Sequence, residues 1–146
     1  MVRNGNTGDL DAVVMMAEEF WRHTRYDVPF DPVHVRNMAA MALDHGLLAI
    51  LEVDGKTEGF TAGVKGPLLG NASVLSGTEI AWWVNPGARH GRNGIALMRH
   101  IEQMARDQGV KYWNMIYMES CMPEVIAAIY ERLGYEKSET SYTRVL

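Results

Sequence analysis

Between Ala81 and Met98 the chain reads Ala-Trp-Trp-Val-Asn-Pro-Gly-Ala-Arg-His-Gly-Arg-Asn-Gly-Ile-Ala-Leu-Met, and its chemistry concentrates there. An apolar run ends at Val84, a loop rich in glycine and arginine follows, and helical periodicity resumes near Gly94. The first turn of a helix carries N–H groups with no intrahelical partner and a partial positive charge, so such a loop suits a phosphate or diphosphate. Gly91 and Gly94 let the backbone come close to a ligand, and Arg89 and Arg92 add charge. An ordinary turn that needs glycines fits those glycines equally well. The common phosphate loops do not fit: there is no Gly-Lys-Ser/Thr, and Gly91-Arg-Asn-Gly94 has the wrong spacing for a dinucleotide fingerprint. The five histidines lack metal-ligand spacing, so no metal is expected. His90, when protonated, adds to the anion-binding loop. Cys121, the one cysteine, reads as a partly buried thiol before it reads as a nucleophile.

Those residues need a scaffold, and the composition allows one. The 146 residues are 47% hydrophobic and 22% charged, with a net charge of −4. This suits a single α/β domain over residues 1–146 and excludes a disordered chain. The acidic balance argues against a nucleic-acid partner, although Arg89, His90, Arg92 and Arg99 would form a local basic patch. No apolar run reaches the roughly 18 residues of a membrane span. One cysteine allows no internal disulfide, which together with the absence of a signal-peptide pattern points to the cytoplasm.

The periodicity places the elements. Met1 to Asn4 reads as a short edge strand. Leu10, Val13, Val14, Ala17 and Trp21 then follow helical spacing, capped by Thr7 or Asp9. Asp31-Pro32 opens a second helix that Gly46 closes. Leu47 to Val53 and Lys56 to Lys65 flank Asp54-Gly55, a hairpin signal, and Gly66 to Asn71 reads as a loop. From Ser73 to Val84, alternation puts Thr78, Ile80, Trp82 and Val84 on one face and Glu79, Ala81 and Trp83 on the other. A third helix ends at Gly109, Val110 to Tyr117 is a strand, and Pro123 opens a fourth helix that stops at Gly134. Tyr135 to Leu146 reads as a final strand or hairpin. Strands alternating with helices in the second half imply a mixed sheet covered on both faces.

The stretch from Val84 resembles the acetyl-CoA-binding motif of the GNAT superfamily of N-acetyltransferases, Gln/Arg-x-x-Gly-x-Gly/Ala after a strand ending in Val-x-Pro. Val84-Asn-Pro86 supplies the strand end and Gly94-Ile-Ala96 the final Gly-x-Ala, while Gly91 stands where the motif has Gln or Arg. Ala128-Ile-Tyr-Glu-Arg-Leu-Gly-Tyr135 is similar to the family's closing helix, Tyr-x-x-x-Gly-Phe/Tyr, with Pro123 in place of a frequent asparagine. The element order agrees over nearly the whole chain, including Arg3 and the Gly8-Asp9-Leu10 helix start.

The resemblance implies a mixed, mostly antiparallel sheet with a splayed strand pair that holds acetyl-CoA. It implies that the loop of Arg89, His90, Gly91, Arg92, Asn93, Gly94, Ile95 and Ala96 holds the diphosphate. It implies too that a backbone N–H at Trp83 or Val84 polarises the thioester carbonyl. The activity implied is acetyl transfer to a primary amine, small molecule or peptide, by direct attack in a ternary complex. A lysine-like amine is neutral in only about one molecule in 10³ at pH 7, so a proton acceptor is needed. By family position Glu79 is the base candidate, with Glu119 or ordered water in reserve, and Tyr130 is the proton donor to the leaving thiolate. Trp21, Tyr26, Asp27, Phe30 and Asp31 fall in the region that in this family helps line the acceptor site, and they read equally as a polar connector with anchoring aromatics. A homodimer is compatible with the resemblance. The competing reading is a non-catalytic acyl-CoA sensor or interaction module that keeps only the cleft.

Overall fold

Asp54 and Gly55 both take positive φ, 50° and 74°, as the hairpin turn demands. They join β2 (Leu48–Val53) to β3 (Lys56–Leu68). β1 (Val2–Asn4) lies antiparallel to β2, and β4 (Asn71–Val84) lies antiparallel to β3. β5 (Val110–Asn114) completes a sheet of order β1-β2-β3-β4-β5, and its pairing with β4 is the one parallel contact. The computed structural model describes residues 1–146, which fall into two compact units, Met1–Ile116 and Tyr117–Leu146.

In the first unit, α1 (Leu10–Trp21) and α2 (Pro32–Asp44) cover one face of the sheet. Leu10, Val13, Ala39 and Ala42 meet Leu48, Ile50, Phe60, Ala62 and Trp83 there. On the other face Leu97, Ile101, Met104 and Ala105 of α3 (Asn93–Asp107) meet Leu47, Ala49, Leu51, Val84 and Val110. Each large apolar side chain buried in this way contributes roughly 1.5–3 kcal/mol. The sheet therefore hides its apolar residues on both sides, and its strands alternate between two cores rather than between core and water.

The helix starts follow the chemistry of their caps, with one correction. Asp31 accepts the Val33 and His34 N–H groups with one carboxylate oxygen, at 3.0 and 2.9 Å. At the first helix neither Thr7 nor Asp9 caps in the expected way. Asn6 caps a 3-10 turn at Thr7–Asp9 by accepting the Gly8 N–H at 2.8 Å. Asp9 turns back, accepts the Asn6 N–H and forms a two-pronged pair with Arg3, both prongs 2.8 Å. The Arg3 guanidinium holds the buried Asp9 carboxyl below its ordinary value.

Strand ends also depart from the periodicity. β3 and β4 extend to Leu68 and back to Asn71, so most of the expected loop at Gly66 to Asn71 is strand and a tight turn. β5 stops at Asn114, three residues early, because its last paired residue on β4 is Thr78. In the second unit α4 (Pro123–Arg132) opens at its proline and ends before Gly134, φ 89°. Tyr135 to Leu146 forms no strand or hairpin and is mostly exposed. That segment has no glycine, proline or asparagine to turn it, and a lone two-stranded ribbon is marginal in water.

Candidate functional site

The site begins where β4 loses its neighbour. Pairing between β4 and β5 ends at Thr78 and Asn114, yet β4 continues to Val84. Residues 79–84 therefore face a gap on that side.

A β-bulge shapes this stretch. The register passes from Gly63 opposite Glu79 to Ala62 opposite Ala81, which leaves Ile80 as the extra residue. The expected alternation fails here. Ile80, Ala81 and Trp83 all pack toward the α1–α2 core, while Trp82 and Val84 pack toward α3. Glu79, expected on the face of Ala81 and Trp83, instead shares a face with its partner Gly63 on the α3 side. An inserted residue reverses the side on which every earlier side chain emerges.

The bulge also decides which main-chain groups reach the gap. The Asn85 N–H donates to Glu58 O at 2.8 Å across the β3–β4 ladder. By the alternation of an antiparallel pair, Trp83, opposite Phe60, likewise spends its N–H and C=O on β3. Trp82 and Val84 turn theirs to the open side. Of the two N–H groups expected to polarise a carbonyl, Val84's is available and Trp83's is not.

At the lower end of the gap stands Glu79. Its side chain is only 5% exposed, and one carboxylate oxygen accepts the Ile116 N–H at 3.2 Å. Burial pushes its pKa up to about 7, against a smaller opposing pull from that hydrogen bond. A carboxyl poised near neutrality and holding a single hydrogen bond is suited to taking a proton at physiological pH.

At the upper end the chain passes through a 3-10 turn, Pro86–Ala88, and enters α3. Arg92, at the N-cap, makes no capping hydrogen bond with its side chain. The Ala96 N–H bonds Arg92 O at 2.8 Å, so the N–H groups of Asn93, Gly94 and Ile95 precede the first intrahelical bond. Three N–H groups are thus turned out from the start of α3, in the stretch expected to meet an anion. Ala96, also expected to contribute, spends its N–H within the helix. Gly91 has φ 66° with open space around it. The conformation, rather than crowding, explains a glycine where the motif has a long side chain. Gly94 has another role: a Cβ there would lie 3.0 Å from the Trp82 ring, so it lets α3 press against β4.

The cations of the loop divide. Arg92 and His90 are exposed. Arg89 lays its guanidinium 4.5 Å from the centre of the Trp83 ring and donates through Nε to Val84 O at 2.8 Å. It anchors the end of β4 at its open edge while resting on the Trp83 ring. Trp83 is held further by its Nε1–H donating to Asn85 Oδ1 at 3.0 Å, with Phe20 meeting it edge to face and the His23 ring tilted against it. In the connector between α1 and α2, Trp21 stacks on Tyr26 and donates to Val28 O. Asp31 is spent as a cap, while Asp27 and Phe30 lie exposed and half-buried respectively. In the second unit Tyr130 is buried between the rings of Tyr117 and Tyr135, with centroids at 6.3 and 5.5 Å. Glu119 is exposed, and Cys121 is half-buried and unbridged.

No protein-family model matches the chain, and no curated protein sequence matches it. Solved structures do. A GCN5-related N-acetyltransferase from Ralstonia eutropha is 17% identical with a TM-score of 0.74, covering 99% of this chain and 97% of its own. The chain has the fold of the GNAT acetyltransferases. A predicted acetyltransferase from Clostridium acetobutylicum, solved with acetyl-CoA, is 12% identical with a TM-score of 0.75 over 99% of this chain and 95% of that one. A transcriptional regulator from Bacillus halodurans is 18% identical with a TM-score of 0.78 over 100% and 99%. GNAT architecture thus extends over the full length. No helix is long and apolar enough to cross a membrane.

Proposed function

We propose that the chain is an N-acetyltransferase that moves an acetyl group from acetyl-CoA to a primary amine, by direct attack in a ternary complex. One observation carries the reading: Glu79, buried and nearly unpartnered, stands where β4 and β5 part. The N–H groups of Asn93, Gly94 and Ile95 would hold the diphosphate. From there an extended arm would run down β4 past Val84, and the strand itself covers about 17 Å from Val84 to Glu79. Acetyl-CoA supplies the activated acyl group; Val84 supplies an N–H group along the gap, and Glu79 takes a proton from the acceptor ammonium, so that the neutral amine attacks the thioester carbonyl and the CoA thiolate leaves. By its position in the family motif, Tyr130 returns a proton to the leaving thiolate. The single cysteine and the need for acetyl-CoA suit a cytoplasmic setting.

Release of free thiol with a panel of amines tests the reading. With the right amine, kcat/KM should rise with pH through about 7, since the base works only as the carboxylate. Glu79→Gln should flatten that limb and lower kcat by roughly 10²–10⁴-fold while leaving CoA affinity in place. Tyr130→Phe should slow turnover and preserve binding. Binding of acetyl-CoA with no thiol release from any amine would favour the sensor reading, which the likeness to a transcriptional regulator keeps in view.

A further inference from the structure

Trp113 is the paired partner of Gly77 on β4, at the level where the β4–β5 pairing is about to end. Its ring crosses β4 and reaches β3. A Cβ on Gly77 would lie 2.8 Å from its Cε3 and Cζ3, and a Cβ on Gly63 would lie 2.4 Å from its Cη2. Neither distance is one a real Cβ adopts, so the two glycines are what allow the indole to lie against the sheet. The ring is held by its Nε1–H, which donates to Met115 Sδ at 3.2 Å. Gly63 is the residue directly opposite Glu79, and Gly77 precedes Glu79 by two along the strand. The far edge of the indole therefore ends over Gly63, directly across from the strand position of Glu79 and on the same face of the sheet.

We propose that Trp113 is the residue that limits acyl-chain length, closing the lower end of the gap so that an acetyl group fits and a longer chain meets the indole. This rests on the acyl-CoA reading of the gap above. An arm anchored at the start of α3 can only deliver its acyl end downward along β4, and the first large side chain below Glu79 on that face is Trp113. A close-packed aromatic ring yields little to inserted methylenes. Longer acyl groups are excluded by occupied volume, not by charge.

Calorimetric titration with acetyl-CoA, hexanoyl-CoA and free CoA tests this without requiring turnover. The wild type should bind acetyl-CoA more tightly than hexanoyl-CoA. Trp113→Ala should shift the hexanoyl:acetyl affinity ratio by at least tenfold toward hexanoyl, with free CoA affinity changed less than threefold. Trp113→Phe, which keeps a smaller ring for stability, should shift it in the same direction by a smaller factor. An unchanged ratio in either variant, with unfolding still cooperative, overturns the assignment of Trp113 and leaves the acyl-CoA reading standing. Absence of binding to all three compounds by the folded wild type overturns both. Binding with the expected ratio shift but no amine acetylation supports the role of Trp113 and removes only the catalytic reading.

Discussion

The two ends of the β4–β5 gap are built from opposite materials. The upper end is solvent-facing main chain: three helix-start N–H groups, an exposed Arg92, and a Gly91 that folds the loop through a left-handed conformation. The lower end is a carboxyl 5% exposed beside an indole laid across two glycines. An anion such as a diphosphate can be held at a wet helix start, because the N–H groups are fixed in direction and need no desolvated partner. Proton transfer needs the reverse, a group whose charge is disfavoured enough to keep its pKa near neutrality. The function proposed above separates holding from reacting along one strand, with the bulge at Ile80 near the reacting end.

If that contrast is right, substitutions at the lower end should change turnover and those at the upper end should change affinity. The largest expected effect is the loss of kcat in Glu79→Gln, by two or more orders of magnitude. The same substitution should alter stability in a pH-dependent way. The folded-state pKa of Glu79 is raised from 4.5 to about 7. Its contribution to stability is therefore complete below pH 4.5 and lost as pH rises through 7. Glu79→Gln escapes that loss, so thermal melts should show the variant gaining on the wild type by up to about 3 kcal/mol between pH 4.5 and 8. A constant difference across that range would mean that the carboxyl is not buried as described.

At the upper end the effects are smaller. Gly91→Val places a β-branched residue at φ 66°, which should cost about 1–2 kcal/mol in denaturant unfolding. It should also weaken CoA binding with little change in kcat at saturation. Arg89→Ala should be the mildest, losing roughly 0.5–1 kcal/mol from the stacking on Trp83. Because that guanidinium faces Trp83 and not the start of α3, CoA affinity should barely move. A large loss of affinity in Arg89→Ala would return this arginine to the diphosphate and blur the division between the two ends.

Much of the scaffold is legible in local chemistry. Asp31-Pro32, Asp54-Gly55 and Gly134 each mark a boundary where a cap or a positive φ is required, and the structure puts boundaries there. The loop after Val84 is legible for the same reason, since glycines and a helix start leave a pattern in sequence. The lower end is less so. A bulge is a mismatch between two strands, and no single strand's alternation reveals it, so Glu79 emerges on the face opposite to the expected one. The contact of Trp113 with Gly63 and Gly77 joins three strands in space, and only the register shows it. Asn6 takes the cap expected of Thr7 or Asp9, because the Asp9 carboxylate is drawn back to Arg3 and the Asn6 N–H. Tyr135 to Leu146 has a strand-like composition near its end but no ladder to join within its own unit.

The central claim is that CoA lies along β4 with its diphosphate on the first turn of α3. Amide-resolved NMR during titration with acetyl-CoA tests it most directly. The account predicts saturable shifts at the Asn93, Gly94 and Ile95 amides, and at those of Val84 and Trp82. Saturable binding that leaves those five amides unmoved, or no binding at all by the folded chain, would contradict it.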